Sequence, residues 1–96
     1  MDFELRISPK AIDEIENAFQ YYLTISEKVA YEFNDELAEI LDRLELNPYF
    51  QIRYKEIRAI PLRVFPFLVF FSIENKIIYI HSVFHTSQNP EKYPHK

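Results

Sequence analysis

The sequence has no cysteine. That excludes disulfide scaffolds, thiol nucleophiles and cysteine-ligated zinc, and is compatible with a reducing compartment. It has no glycine either, so a turn that needs a positive φ must use another residue. No N-terminal stretch joins basic residues to an apolar run, and the longest apolar stretch, Phe65 to Phe71, is far too short to span a bilayer. Internal repeats, linkers and low-complexity segments are also missing. Three histidines with no H-x-x-x-H pair on a helix, and no cysteine, argue against zinc, and no cofactor is expected. The expectation is a soluble, unprocessed cytoplasmic protein with no membrane segment.

What is present is apolar and aromatic. At 96 residues, with 48% hydrophobic and 17% aromatic content, the chain is expected to close one core unaided, as a single domain over residues 1–96. The formal charge of −4 hides an uneven distribution. Residues 1–47 carry four basic and twelve acidic side chains, whereas residues 48–96 carry seven basic and three acidic ones. Such a contrast points either to a polyanionic or acidic partner for the second half or to a solvated acidic helical face.

Phe3 to Ile7 alternates apolar and charged residues, as a half-buried strand does. Ser8 then caps a predicted helix with Pro9 at its first position, running to Leu23 on the stripe Ile12, Ile15, Phe19 and Tyr22. Ser26 caps a second helix with the stripe Val29, Phe33, Leu37, Ile40, Leu41 and Leu44, ended by Asn47-Pro48. After Pro48 the period falls to two, and strands are expected from about Tyr54 to Ile60, Phe67 to Ile73 and Ile77 to Phe84. Pro61 and Pro66 bracket one connection, and Glu74-Asn75-Lys76 forms the other, with Asn75 the residue expected at positive φ. This order predicts an α+β fold: an N-terminal strand and an antiparallel helical hairpin packed on a mainly antiparallel four-stranded sheet. The face away from the helices is expected to be open, concave and basic.

The segments "SPKAIDEIENAFQYY", a helix ending in "LNP", and "IRAIPLRVFPFLVFFSIENKIIYIHSVFHTSQNPEKY" resemble the RelE/ParE family of bacterial toxins over nearly the whole chain. The resemblance implies the toxin half of a type II toxin–antitoxin pair, neutralised by a cognate antitoxin that wraps around it and through which alone it would reach operator DNA. Members like RelE cut mRNA on the ribosome without metal, using basic residues and a C-terminal Tyr or His. Members like ParE instead poison DNA gyrase.

Metal-independent RNA cleavage needs cations for the phosphorane and groups that move protons. The candidates for catalysis are Arg58, Arg63, His85 and Tyr93, with Arg53, Lys55 and Gln88 for target binding. Arg53 and Lys55 would share one strand face with Arg58 on the other, and His81 and His85 would share a face with Tyr79 and Val83. His81 reads as a half-buried core residue, His85 as a strand-end residue with readier access to substrate. By the resemblance, close relatives of this kind usually read His-Thr-Lys-Arg-Asn-Pro where this chain has His-Thr-Ser-Gln-Asn-Pro. Gln88 cannot neutralise a phosphate, which would cost a nuclease on the order of 2–4 kcal/mol of transition-state stabilisation. The ParE-like reading is therefore preferred, with a ribosome-dependent endonuclease as the alternative. A non-toxic corepressor that binds the antitoxin is a third reading, in which Tyr21, Tyr22, Tyr31 and Phe50 would be anchors rather than core.

Overall fold

Ser8 turns the chain from strand to helix. In the computed structural model, which describes residues 3–49, 52–54 (as backbone) and 56–86, its hydroxyl accepts from Ala11 N at 3.0 Å and so caps α1 (Pro9–Leu23). Ser26 does the same for α2 (Glu27–Leu46), accepting from Val29 N. Both helices start and stop where the caps and Asn47-Pro48 predict. None of the described helices is long and apolar enough to cross a membrane.

Before α1 comes β1 (Glu4–Ile7); after α2 come β2 (Ile52–Tyr54), β3 (Ile57–Pro61), β4 (Phe67–Glu74) and β5 (Ile77–His85). They form one sheet in the order β1-β5-β4-β3-β2, parallel between β1 and β5 and antiparallel elsewhere. β1, β3, β4 and β5 are the expected four, and β2 extends one edge as a short fifth strand. The stretch read as a single strand from Tyr54 to Ile60 is instead two, because Tyr54 pairs with Ile57 and the chain reverses between them. Face parity therefore cannot be carried from Arg53 to Arg58.

The β4–β5 turn behaves as the missing glycine requires. Asn75 takes φ 58°, the one positive φ among the described non-glycine residues. Asn tolerates this region because its short polar side chain bonds locally. Replacing Asn75 by alanine should cost about 1 kcal/mol and by glycine almost nothing, read as the shift in urea midpoint. An equal loss in both variants would mean that the side chain, not the backbone angle, matters.

The main core lies between sheet and helices, where Phe33, Leu37, Ile40 and Leu44 of α2 meet Val69, Phe71, Ile78, Ile80 and Val83. α1 is rotated relative to the predicted stripe. Ala11, Ala18 and Tyr22 face inward, while Ile12 is 51% exposed. Two alanines a pair of turns apart let this helix approach β5 closely, which larger residues at those two positions would hinder. The face away from the helices is not a basic surface among the described residues. It carries a second buried cluster of Ile57, Ala59, Leu68, Phe70 and Phe84, so β4 buries apolar side chains on both sides.

Candidate functional site

β1 runs beside β5 only as far as the Ile7–Ile80 pair. Beyond it the edge of β5 needs other partners for its backbone groups. Ser8 N donates to Ile80 O at 3.0 Å and the Ser8 hydroxyl to His81 O at 3.1 Å. One turn into α1, Glu14 Oε1 accepts from the Ser82 hydroxyl and from Val83 N, both at 2.8 Å. The acid lies on the inward face with Ala11 and Ala18 and acts as a clamp between helix and strand.

The clamp holds an irregular place in the ladder. Phe71 pairs with Ile80 and Phe70 with Ser82, leaving His81 as an extra residue in β5. The bulge reverses face parity: Ile80 before it and Val83 after it both belong to the core under the helices. His81 and His85 therefore do not share a face. His81 Nε2 lies 2.7 Å from the Ser72 hydroxyl, on the side away from the helices. His85 lies on the helix side, with its ring edge-on to Phe67 at a centroid distance of 5.0 Å.

His85 borders a cleft of about 420 Å³ whose other walls are Glu14, Asn17, Ala18, Tyr21, Tyr22, Phe67 and Val83. Tyr22 belongs to the core, as its spacing predicts; Tyr21 and Tyr31 do not, being 61% and 54% exposed. Burial, with Tyr21 alongside, pushes the Tyr22 phenol above its ordinary value.

The proposed cations stand elsewhere. Arg63 is in the loop after β3, whose backbone turns against α2: the Glu36 carboxylate accepts from Arg63 N and Val64 N. The Arg63 guanidinium also faces α2, 3.9 Å from Glu36 and 3.7 Å from Glu39. Thr86 N bonds Pro66 O at 2.8 Å, so this loop and His85 share one end of the sheet while the Arg63 side chain points to the acids. Arg58 pairs with Phe71, four residues along β4 from the partner of His85, a separation of about 13 Å at strand rise. Its guanidinium lies over the Tyr49 ring at 5.3 Å. Arg53 lies in β2, while Phe50, Lys55, Gln88 and Tyr93 lie outside the described residues. Sequence reasoning passed over Glu14 and Glu36. The available signal was their position on apolar helix faces, where an acid requires a partner.

Because its side chain is 68% exposed, Arg63 contributes little to stability. Arg63→Ala should change the unfolding free energy by less than about 1 kcal/mol, since the bond from Arg63 N to Glu36 survives. A loss above that by urea titration would make the ion pairs structural.

The family model described as the ParE toxin of the type II toxin–antitoxin system parDE matches residues 5–90. The chain belongs to the ParE toxin family. A solved chain from the chromosomal ParDE toxin–antitoxin system of P. aeruginosa superposes with a TM-score of 0.77 at 19% identity, over 88% of this chain and 96% of that one. At that identity the likeness is one of fold. No curated protein matches the chain.

Proposed function

We propose that this ParE-family chain arrests growth by poisoning DNA gyrase, does not cleave mRNA, and is held inactive by a cognate antitoxin through which alone it meets operator DNA. The observation that carries this reading is the company His85 keeps. Phosphoryl chemistry needs cations gathered around the proton-transfer groups. The described cleft around His85 is lined by rings and a carboxylate, with no Lys or Arg among its walls. The exposed Arg63 side chain leans toward Glu36 and Glu39, and Arg58 lies over Tyr49. The acidic helical half adds to this, because docking into ribosomal RNA gains from positive charge.

Inducible expression in a bacterium, alone and together with the product of the adjacent small gene, tests the first part. Growth should stop in the first case and recover in the second. Purified protein should then inhibit supercoiling by gyrase while leaving mRNA on ribosomes intact. Ribosome-dependent cleavage that disappears in Arg63→Ala and His85→Ala, with supercoiling untouched, would replace this reading by the nuclease one. Unimpaired growth with a soluble wild-type product would remove the toxin role.

A further inference from the structure

The cleft between α1 and the end of β5 is built for a particular kind of guest. Its volume of about 420 Å³ lies low in the range of small-ligand sites. Four rings border it in series: Tyr21 meets Tyr22 at 5.3 Å, Tyr22 meets Phe67 at 6.4 Å, and Phe67 meets His85 at 5.0 Å. Among them stand the Glu14 carboxylate and the Asn17 amide. Glu14 Oε1 is occupied by Ser82 and Val83, whereas Oε2 accepts from no described residue.

Ring faces are electron-rich and the carboxylate carries a full negative charge, so the cleft attracts a cation and repels phosphate or carboxylate. A purely aliphatic guest would strip water from Oε2 and Asn17 and give nothing back. A planar guanidinium can stack on the exposed Tyr21 ring and donate to Oε2 at once, whereas an ammonium is a strongly hydrated point charge with no plane to stack. The half of the chain that supplies α1, residues 1–47, carries twelve acidic side chains against four basic ones. That setting favours a basic segment of polypeptide. We infer that the cleft receives an arginine side chain of the antitoxin, a statement that rests on the antitoxin reading above.

The probe is the full-length product of the adjacent small gene, titrated calorimetrically into the wild-type chain and into Tyr21→Ala and Glu14→Gln. Tyr21→Ala removes an exposed ring and leaves the core intact. Glu14→Gln keeps an acceptor for Val83 while removing the charge. Each should weaken the complex about tenfold or more. Replacing one particular partner arginine by methionine should do the same, and combining it with Tyr21→Ala should add little further loss. Unchanged affinity in both variants, fully additive losses with every partner arginine, or coupling to a partner lysine instead would overturn the inference and leave the antitoxin reading standing. Absence of any complex with the wild-type chain would overturn both. Should Glu14→Gln fail to fold, the Tyr21→Ala arm decides alone.

Discussion

Phe33→Ala should lower the unfolding free energy by about 3–5 kcal/mol, a large part of the roughly 5–15 kcal/mol available to a domain. Phe33 is fully buried on α2 and meets three other rings: Tyr22 at 5.5 Å, Phe65 at 5.5 Å and Phe67 at 5.2 Å. Each of these pairs belongs to a different element or loop, so truncation opens a void that no single neighbour can fill. The edge-on contact with Phe65 would add about 0.5–1.5 kcal/mol beyond area burial. Urea titration followed by circular dichroism reads the change as a lower midpoint at similar slope. A loss below about 1.5 kcal/mol would mean that the site collapses around the vacancy. There is a functional corollary, because Tyr22 and Phe67 are walls of the α1–β5 cleft. Loosening their support should blur that site even in molecules that remain folded.

The second large effect belongs to Glu14. Glu14→Ala should cost about 2–4 kcal/mol, because hydrogen bonds to a charged acceptor are worth about 1.5–3 kcal/mol each and their loss strands buried donors. Ser82 is fully buried and Val83 nearly so, which leaves the Val83 N–H little water to turn to. Glu14→Gln retains an acceptor oxygen at the same reach and should lose less than half as much as the alanine variant. Equal losses in the two would show that the charge, rather than acceptance of the two bonds, holds helix to strand. Hydrogen exchange gives a local reading of the same event: the Val83 amide should lose protection in Glu14→Ala ahead of the centre of β4.

Much of this architecture is legible from local signals. Ser8-Pro9 and Ser26 start the helices and Asn47-Pro48 ends the second, since a cap acts on backbone groups only two or three residues away. In a chain without glycine, Asn75 was the natural residue for the reversed turn. The change of period after Pro48 announced a sheet, and the wording of the C-terminal third carried the family. The candidate site was far less legible. The sequence suggests Arg58, Arg63 and His85 as one group, yet Arg63 turns to acids on α2, Arg58 lies over an aromatic ring, and His85 lines a cleft with Glu14. Those partners come from distant parts of the chain, and no spacing rule links them.

The bulge at His81 marks the boundary between the two kinds of knowledge. Alternation along β5 told which residues could share a face only while the ladder stayed regular, because a period of two survives no insertion. One extra residue sends His81 to one side and His85 to the other. Caps, turn and strand order follow from interactions within a few residues, so the linear chain carries them in full. The clamp, the cleft and the dispersal of the arginines depend on α1 lying against an edge of β5 that β1 leaves uncovered. That meeting is set by packing across some seventy residues of separation, and it comes into being only when the sheet closes.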